Sequence, residues 1–157
     1  MTNINKLIQD LTLKEKISLM SGFNSWYTNK IERVGVPSIK MSDGPNGVRG
    51  DSTSGKSSAC FPCAISIGST WDMNLINQLG VALGEEAKVK DVDVLLGPTI
   101  NIHRHPLGGR HFESFSEDPF LTGKIATEYV KGVQSQNVAA CLKHFIGNDT
   151  EYERHLV

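Results

Sequence analysis

The sequence has no excess of charge of either sign, no long apolar run and few cysteines. Its 157 residues include 16 basic and 17 acidic side chains, so the net charge is −1. A near-neutral chain has no electrostatic attraction to nucleic acid or to an anionic membrane, and we expect neither as a partner. No stretch approaches the ~18 apolar residues of a membrane span, and the first residues lack a basic segment followed by an apolar one. We therefore expect a cytoplasmic protein.

The scarcity of cysteine excludes a disulfide framework. Cys60, Cys63 and Cys141 cannot all pair with one another, which is typical of a reducing compartment. The C-x-x-C spacing of the first two would suit a redox pair if it opened a helix after a strand. Pro62 and the apolar run that follows it favour the start of a strand instead, so we interpret the cysteines as small buried residues. A zinc site is disfavoured because no second C-x-x-C or H-x-x-x-H motif is present.

Apolar residues make up 39% of the chain, which is enough for one domain with a core. Segments with helical periodicity alternate with short apolar runs, as in a parallel α/β fold. Thr12 and Glu15 form a capping-box pattern, and Asp72 is placed to cap a later helix. The predicted elements are a helix at 12–21, a strand at 36–41, a Gly/Ser-rich loop at 51–60, a strand at 61–68, a helix at 72–90, a strand at 92–97, a helix at 119–136 and a strand at 138–145.

Polar residues follow the carboxyl ends of the predicted strands, which is where α/β barrels build their sites. Charged side chains from separate segments would therefore share one rim of the sheet. We expect them to converge on a single pocket. They form three clusters, namely Asp43 with Arg49, Arg110 with Glu113, and Lys143 with His144.

The first cluster lies in the segment SDGPNGVR, whose glycines and proline favour a turn. Two interpretations are open: a tight turn in which Arg49 bridges to Asp43, or a pair of ligand contacts. The segment matches neither G-x-x-x-x-G-K-[ST] nor G-x-G-x-x-G, so nothing favours nucleotide binding, and we expect no cofactor.

The second cluster lies in HPLGGRHFESFSEDPF, residues 105–120, which has neither helical nor strand periodicity. Gly108 and Gly109 permit backbone angles that other residues avoid and could present Arg110 at a strained bend. Its planar fork of donors could bridge two neighbouring oxygens. The candidate partners are Glu113, Glu117 and Asp118. The last two are better interpreted as caps of the helix that begins near residue 119.

Three histidines in the same region, His103, His105 and His111, raise the alternative of a metal site. Alternate positions in an irregular loop rarely converge on one ion, and no carboxylate completes a ligand set, so we expect no metal. The third cluster, Lys143 and His144, consists of neighbours that would point to opposite faces of a strand. Both reach one pocket only where the strand ends, and a buried lysine needs acceptors such as a carboxylate and a polyhydroxyl ligand.

The residues resemble glycoside hydrolase family 3, in particular its β-glucosidase branch. The resemblance rests on three motifs, in the family's order, and covers nearly the whole chain from about residue 10. They are Asp43-Gly-Pro-x-Gly-x-Arg49, GPTINIHRHPLGGRHFESFSEDPFLTG and CLKHFIGNDTEYERH. The segment KHFIGNDTE differs from the KHFPGHG of the branch that acts on N-acetylglucosaminides. His111 stands where asparagine is more usual in the family.

The resemblance implies a partial (β/α)8 TIM-type barrel, roughly its first half, so that residues 1–157 form the N-terminal portion of a barrel domain. It implies hydrolysis of terminal nonreducing β-D-glucosyl residues with retention, on a β-glucoside or small oligosaccharide substrate. The residues that match the family's sugar contacts are Asp43, Arg49, Arg110, Lys143 and His144. The nucleophile and the acid/base residue are expected beyond Val157, together with the remaining barrel and later domains.

A half barrel would have open sheet edges, so we expect self-association and no glycosidase turnover by these residues alone. Two alternatives stay open. One is a catalytically inactive sugar-binding fragment. The other is a structural α/β domain in which the three loops match by coincidence.

Overall fold

The computed structural model describes residues 3–50, 56–145, 147–151 and 153–156. The predicted loop at 51–60 therefore lies partly outside the described residues. The chain divides into two compact units, Met1–Met41 and Ser42–Val157. In the described part of the chain, no helix combines the length and apolar character needed to cross a membrane.

The first unit contains two short helices, α1 (Ile4–Asp10) and α2 (Leu13–Ser18). The capping box is present as predicted, since the Thr12 side chain accepts a hydrogen bond from the Glu15 N–H and Glu15 accepts one from the Thr12 N–H. Helix α2 ends three residues earlier than expected, and α1 was not predicted. The predicted strand at 36–41 instead makes antiparallel bridges with the preceding segment, Ile31 to Val36 and Tyr27 to Lys40.

The described residues form a three-stranded sheet in the order β1-β2-β3, with β2 and β3 in the second unit. The strands are short, β1 (Met41–Ser42), β2 (Val94–Leu95) and β3 (Ala139–Ala140). Strands β2 and β3 run parallel, with Val94 opposite Ala139 and Leu95 opposite Ala140. The Leu96 N–H donates to the Ser42 carbonyl over 2.8 Å, which joins β1 to β2. The α/β class and the order of these strands agree with the prediction, although each strand is shorter.

Two long helices pack together in the second unit, α4 (Met73–Val89) and α5 (Pro119–Ser135). Asp72 and Asp118 cap them by accepting hydrogen bonds from N–H groups of the first turns, as predicted. The helices approach closely at two glycines, because a Cβ on Gly132 would lie 2.8 Å from the Gly80 Cα. The buried residues of the hydrophobic core include Ile76, Leu83, Leu95, Ile125, Tyr129 and Val133.

The predicted strand at 61–68 is wrong, because this segment forms a helix, α3 (Ala64–Gly68), after an extended Cys63. Ala64, Ile67 and Gly68 are buried whereas Ile65 is 42% exposed, which is the pattern of one helical face. A five-residue apolar run is too short for its periodicity to separate helix from strand.

The prediction that the cysteines are buried is also wrong. Cys60 and Cys141 are exposed, Cys63 is half-buried, and all three are free thiols. Cys60 and Cys63 lie in the extended segment that leads into α3, so Cys60 is not covered by the sheet as a residue of a central strand would be.

Candidate functional site

Asp43 directly follows β1 and opens a tight turn. The Gly47 N–H donates to the Gly44 carbonyl over 3.1 Å, and the Arg49 N–H donates to the Asp43 carbonyl over 2.9 Å. Gly44 has φ +110°, and a Cβ there would lie 2.9 Å from the Arg49 N. A residue other than glycine would therefore strain this turn. The glycine-containing turn therefore determines the backbone position from which the Asp43 side chain extends.

Lys143 meets Asp43 across the sheet, 100 residues away along the chain. Its Nζ donates to Asp43 Oδ1 over 2.7 Å, with 15% of the lysine side chain and 39% of the aspartate side chain exposed. The strand pairing continues past β3 and positions the lysine, since the Lys143 N–H donates to the Pro98 carbonyl and its own carbonyl accepts from the Ile100 N–H. The buried lysine therefore has the carboxylate partner that its charge requires.

The Asp43 carboxyl is held in its charged form. Burial alone would raise its pKa, but hydrogen bonds from Lys143 and the Gly44 N–H, together with the nearby charge of Arg49, outweigh burial and hold the pKa below its usual value. At neutral pH the group is a carboxylate. It can accept hydrogen bonds from hydroxyl groups and has no proton to give to a leaving group.

His144 follows Lys143 and points into the same cluster. Its Nδ1 lies 2.8 Å from Asn101 Oδ1, and its Nε2 lies 3.1 Å from Arg110 Nη2. Burial, followed by the positive charges of Arg110 and Lys143, lowers the pKa of His144 below its ordinary value. The imidazole is therefore neutral at pH 7.

Arg110 links His144 to two carboxylates. Its Nε donates to Glu113 Oε1, and its Nη1 donates to Glu151 Oε1 over 3.3 Å. Burial alone would lower the pKa of the guanidinium, but the two carboxylates outweigh burial and raise it. Each nitrogen of the guanidinium thus faces a different partner, and the planar group is held in one orientation.

Among the predicted site residues, Arg49 is the one whose side chain is least connected to the others. It is exposed, and among the ion pairs between described residues none joins it to Asp43. The interpretation of a tight turn in which Arg49 bridges to Asp43 is therefore wrong in its side-chain contact. The turn itself is present, and the Arg49 side chain acts on Asp43 through its charge.

The loop at 105–120 owes its shape to contacts other than those expected. Gly108 and Gly109 do not have positive φ angles, so the predicted strained bend is wrong. Gly108 is nevertheless needed, because a Cβ there would overlap the His111 ring, whereas a Cβ on Gly109 would meet nothing within 4 Å. Of the three candidate carboxylates, Glu113 contacts Arg110, Asp118 caps α5, and Glu117 is exposed.

The histidines of the loop make structural hydrogen bonds. His103 Nε2 lies 2.8 Å from the His111 carbonyl O, and the two rings stack at 5.0 Å between centroids. His111, which stands where asparagine is more usual, has its Nε2 2.7 Å from the Asp149 carbonyl O. This hydrogen bond connects the loop to residues 147–151. Within the described residues, no three His, Cys, Asp or Glu side chains are grouped to hold a metal ion.

Sequence reasoning missed three residues of the site. Asn101 is buried beside His144, and Glu151 contacts Arg110. Asp149 accepts hydrogen bonds from the Ile102 N–H and from the Arg104 side chain. Asn101 could have been noticed as a polar residue in the otherwise apolar run GPTINI. Glu151 and Asp149 lie in the motif CLKHFIGNDTEYERH, but the residues that they contact are about 40 positions away in the sequence.

The structure thus brings together Asp43, Lys143, His144 and Arg110 in one continuous set of contacts at the carboxyl ends of the strands. The molecule is an α/β protein with adjacent carboxylate acceptors and cationic donors on this rim. The sequence model described as "Glycosyl hydrolase family 3 N terminal domain" matches residues 5–157, and the chain belongs to this family.

Over the region that they match, relatives are about half identical to the chain. A β-glucosidase of Rhizobium radiobacter is 55% identical over 153 residues, which cover 96% of this chain and 19% of that protein. A thermostable β-glucosidase B of Acetivibrio thermocellus is 47% identical, covering 99% of this chain and 22% of that protein. The chain therefore spans about a fifth of the length of the relatives it matches.

Solved structures show the same fold. The β-glucosidase of Kluyveromyces marxianus in complex with glucose matches with a TM-score of 0.92 and 46% identity, over 96% of this chain and 18% of that chain. The β-glucosidase 3B of Thermotoga neapolitana in complex with glucose matches with a TM-score of 0.87 and 40% identity, over 97% and 24%.

Proposed function

We propose that this chain forms the part of a retaining β-glucosidase that binds the nonreducing terminal sugar of its substrate. The observation that carries the proposal is the unbroken set of contacts from Asp43 through Lys143 and His144 to Arg110, in a chain about half identical to β-glucosidases. The substrate would be a β-glucoside or a small oligosaccharide, hydrolysed at its terminal β-D-glucosyl residue.

Each residue has a chemical role in this proposal. The Asp43 carboxylate accepts hydrogen bonds from two sugar hydroxyls, while Lys143 and Arg110 donate to sugar oxygens. His144 accepts a hydrogen bond from Arg110 at Nε2 and so helps to orient that donor at the sugar site. Arg49, exposed at the rim, contributes positive charge beside Asp43.

We propose that the sheet is the first part of a (β/α)8 barrel, and that residues 1–157 belong to the N-terminal portion of the barrel domain. The parallel register of β2 and β3 and the likeness to the Kluyveromyces marxianus β-glucosidase support this. The nucleophile and the acid/base residue would lie beyond Val157, in the four fifths of the relatives' length that the chain does not span. Free thiols at all three cysteines suit a cytoplasmic location.

We also propose that the chain self-associates beside β3, an outer strand of the described sheet. A groove of about 540 Å³ lies there, lined by Ile100, Ile102 and Leu142 and by residues of α5. Leu142 is 49% exposed. An apolar groove beside an unpaired strand favours a second copy of the chain as its occupant.

Binding of glucose and gluconolactone to the full chain, measured by calorimetry, tests the proposed function. We expect weak saturable binding that Asp43→Ala reduces at least tenfold, because a sugar would lose the charged acceptor that follows β1. Glu85→Ala, which removes an exposed carboxylate on α4, serves as the matched control and should not change the affinity. Wild-type affinity in Asp43→Ala would contradict the proposal.

Hydrolysis of an aryl β-glucoside separates binding from catalysis. We expect no turnover above background, because both catalytic carboxylates are assigned to residues outside this chain. Turnover that Asp43→Ala abolishes and Glu85→Ala leaves intact would contradict that assignment. It would place the catalytic carboxylates among residues 1–157.

A further inference from the structure

We propose that Asn101 is a positioning residue that holds His144 as the neutral Nδ1–H tautomer, with the Nε2 lone pair turned towards Arg110. The inference deepens the proposed function, because His144 would then orient the sugar-binding Arg110 as an uncharged acceptor and not repel it as a cation. It rests on that function only for the identity of the ligand. The tautomer itself follows from contacts within the chain.

The orientation of the Asn101 amide is fixed by a backbone group. The N–H of His144, which can only donate, lies 3.2 Å from Asn101 Oδ1. The atom that faces it must therefore be the amide oxygen, since an amide nitrogen cannot accept. The Asn101 side chain also lowers the pKa of Asp149, as a donor directed at that carboxylate would. Both sides of Asn101 thus agree on which way the amide points.

The tautomer of His144 follows from this orientation. Its Nδ1 lies 2.8 Å from the same Asn101 oxygen, so Nδ1 must carry the hydrogen. At the other end of the ring, Nε2 faces Arg110 Nη2 at 3.1 Å. A guanidinium has donors only, so Nε2 must be the unprotonated nitrogen. Two groups whose roles cannot change, a backbone N–H and a guanidinium, thus select one tautomer between them.

The charges around His144 favour the neutral ring. Arg110, Lys143 and Arg154 oppose a second proton on the imidazole, whereas Glu113 favours one. A protonated Nε2 would also direct its hydrogen at the Arg110 donor. The pKa of His144 is lowered accordingly, with burial as the largest cause.

Without Asn101 the ring would lose its fixed orientation. Asn101 is buried, so no solvent water stands ready to replace its oxygen, and both the ring Nδ1–H and the His144 backbone N–H would lose their acceptor. The ring could then rotate away from Arg110. Asn101 therefore acts through His144 and needs no contact with a ligand of its own.

Nitrogen NMR of the full chain with ¹⁵N-labelled histidine tests the proposal without any ligand. The chain has five histidines, and exposed His155 gives an internal reference for a ring governed by solvent. At pH 7 we expect a single His144 species, protonated at Nδ1 and not at Nε2. A His144 signal from the Nε2–H tautomer, or from the mixture that His155 shows, would overturn the proposal, and this wild-type measurement needs no variant to fold.

Two variants then assign the effect to Asn101. Asn101→Ala should lower the fraction of the Nδ1–H tautomer at least twofold. Asn101→Asp keeps an acceptor at this position, so it should retain the tautomer. Its negative charge should also raise the pH at which His144 gains a second proton. Asn77→Ala, which removes an amide that contacts Glu128, is the matched control. An unchanged tautomer in a folded Asn101→Ala would show that Arg110 alone selects it, and would overturn the role of Asn101.

Glucose binding separates this inference from the proposed function. A chain that shows the Nδ1–H tautomer and its loss in Asn101→Ala, yet binds no glucose, supports the positioning role and contradicts the sugar site. A chain that binds glucose with His144 in the Nε2–H form supports the sugar site and contradicts the positioning role.

Discussion

Arg110 shows how one side chain can organise a site at the scale of a residue. Its Nε, Nη1 and Nη2 each face a different group, on Glu113, Glu151 and His144. The partner carboxylates leave the guanidinium charged, and the three contacts together fix its plane. A side chain with a single nitrogen could not reproduce this arrangement.

Replacing Arg110 with lysine should therefore weaken sugar binding although the charge is kept. We expect Arg110→Lys to reduce glucose affinity at least about tenfold, equivalent to about 1.4 kcal/mol. Arg104→Lys is the matched control, because Arg104 meets its partner Asp149 through one nitrogen and is largely exposed. Equal affinities for the two variants in calorimetry would contradict a role for the guanidinium geometry.

The ion pair between Asp43 and Lys143 makes stability depend on pH in the acid range. The pKa of Asp43 is lower in the folded chain than its ordinary value of 3.8. The carboxylate therefore stabilises the fold fully above pH 3.8, and this contribution is lost as the pH falls through the lower, folded-state pKa. Because the aspartate is partly exposed, we expect about 1 kcal/mol or less.

Urea unfolding of the wild type and of Asp43→Asn over a pH series measures this contribution. The difference between their free energies of unfolding should be largest above pH 3.8 and should vanish at the lowest pH values. Glu85→Gln, at an exposed position of α4, is the matched control for the loss of a carboxylate. A difference that grows as the pH falls would contradict the assigned direction of the pKa shift.

At the scale of elements, helices α4 and α5 depend on glycines where they touch. A methyl group at Gly132 would overlap the Asn77 carbonyl and approach the Gly80 Cα to 2.8 Å, so Gly132→Ala should force the helices apart. We expect a loss of about 1–3 kcal/mol in the free energy of unfolding. Gly123, on the same helix, has nothing within 4 Å of an added Cβ.

Gly123→Ala is therefore the matched control for Gly132→Ala. It should stabilise the chain by roughly 0.5–1 kcal/mol, because alanine favours a helix over glycine. Chemical denaturation of both variants gives the two values with opposite signs. A neutral or stabilised Gly132→Ala would contradict the close helix contact, and a destabilised Gly123→Ala would contradict the expected gain in helix propensity.

The elements that could be predicted from the sequence are those with long periodic patterns and recognisable caps. Helices α4 and α5 each have 17 residues and begin after a capping aspartate, so their bounds agree closely with the prediction. Helix α3 was mistaken for a strand because five apolar residues carry no distinguishing period.

The main residues of the site could be predicted from the sequence, but the residues that hold them in position could not. Asp43, Lys143, His144 and Arg110 were identified by motif and by their places after strands, and the structure brings them together. Asn101 contacts His144 across 43 residues of sequence, and nothing in the local pattern of either segment signals that contact. Contacts of this kind depend on the register of neighbouring strands, and short apolar runs do not specify that register.

For the whole molecule, the proposed self-association assigns a role to the apolar groove beside β3. Leu142 lies in this groove beside Ile100 and Ile102, at an outer strand of the described sheet. Self-association that buries the groove should weaken if a charge is placed there, because an unpaired buried charge is costly. Leu142→Glu should therefore shift the chain from larger species towards the monomer.

Sedimentation velocity over a range of concentrations measures this shift. We expect the wild type to show species larger than 17.2 kDa as concentration rises, and Leu142→Glu to raise the concentration at which they appear at least tenfold. Val89→Glu, at an apolar residue of α4 that is 63% exposed and does not line the groove, is the matched control. If both variants act alike, general surface hydrophobicity and not the edge beside β3 drives association. A wild type that stays monomeric at all concentrations would contradict self-association itself.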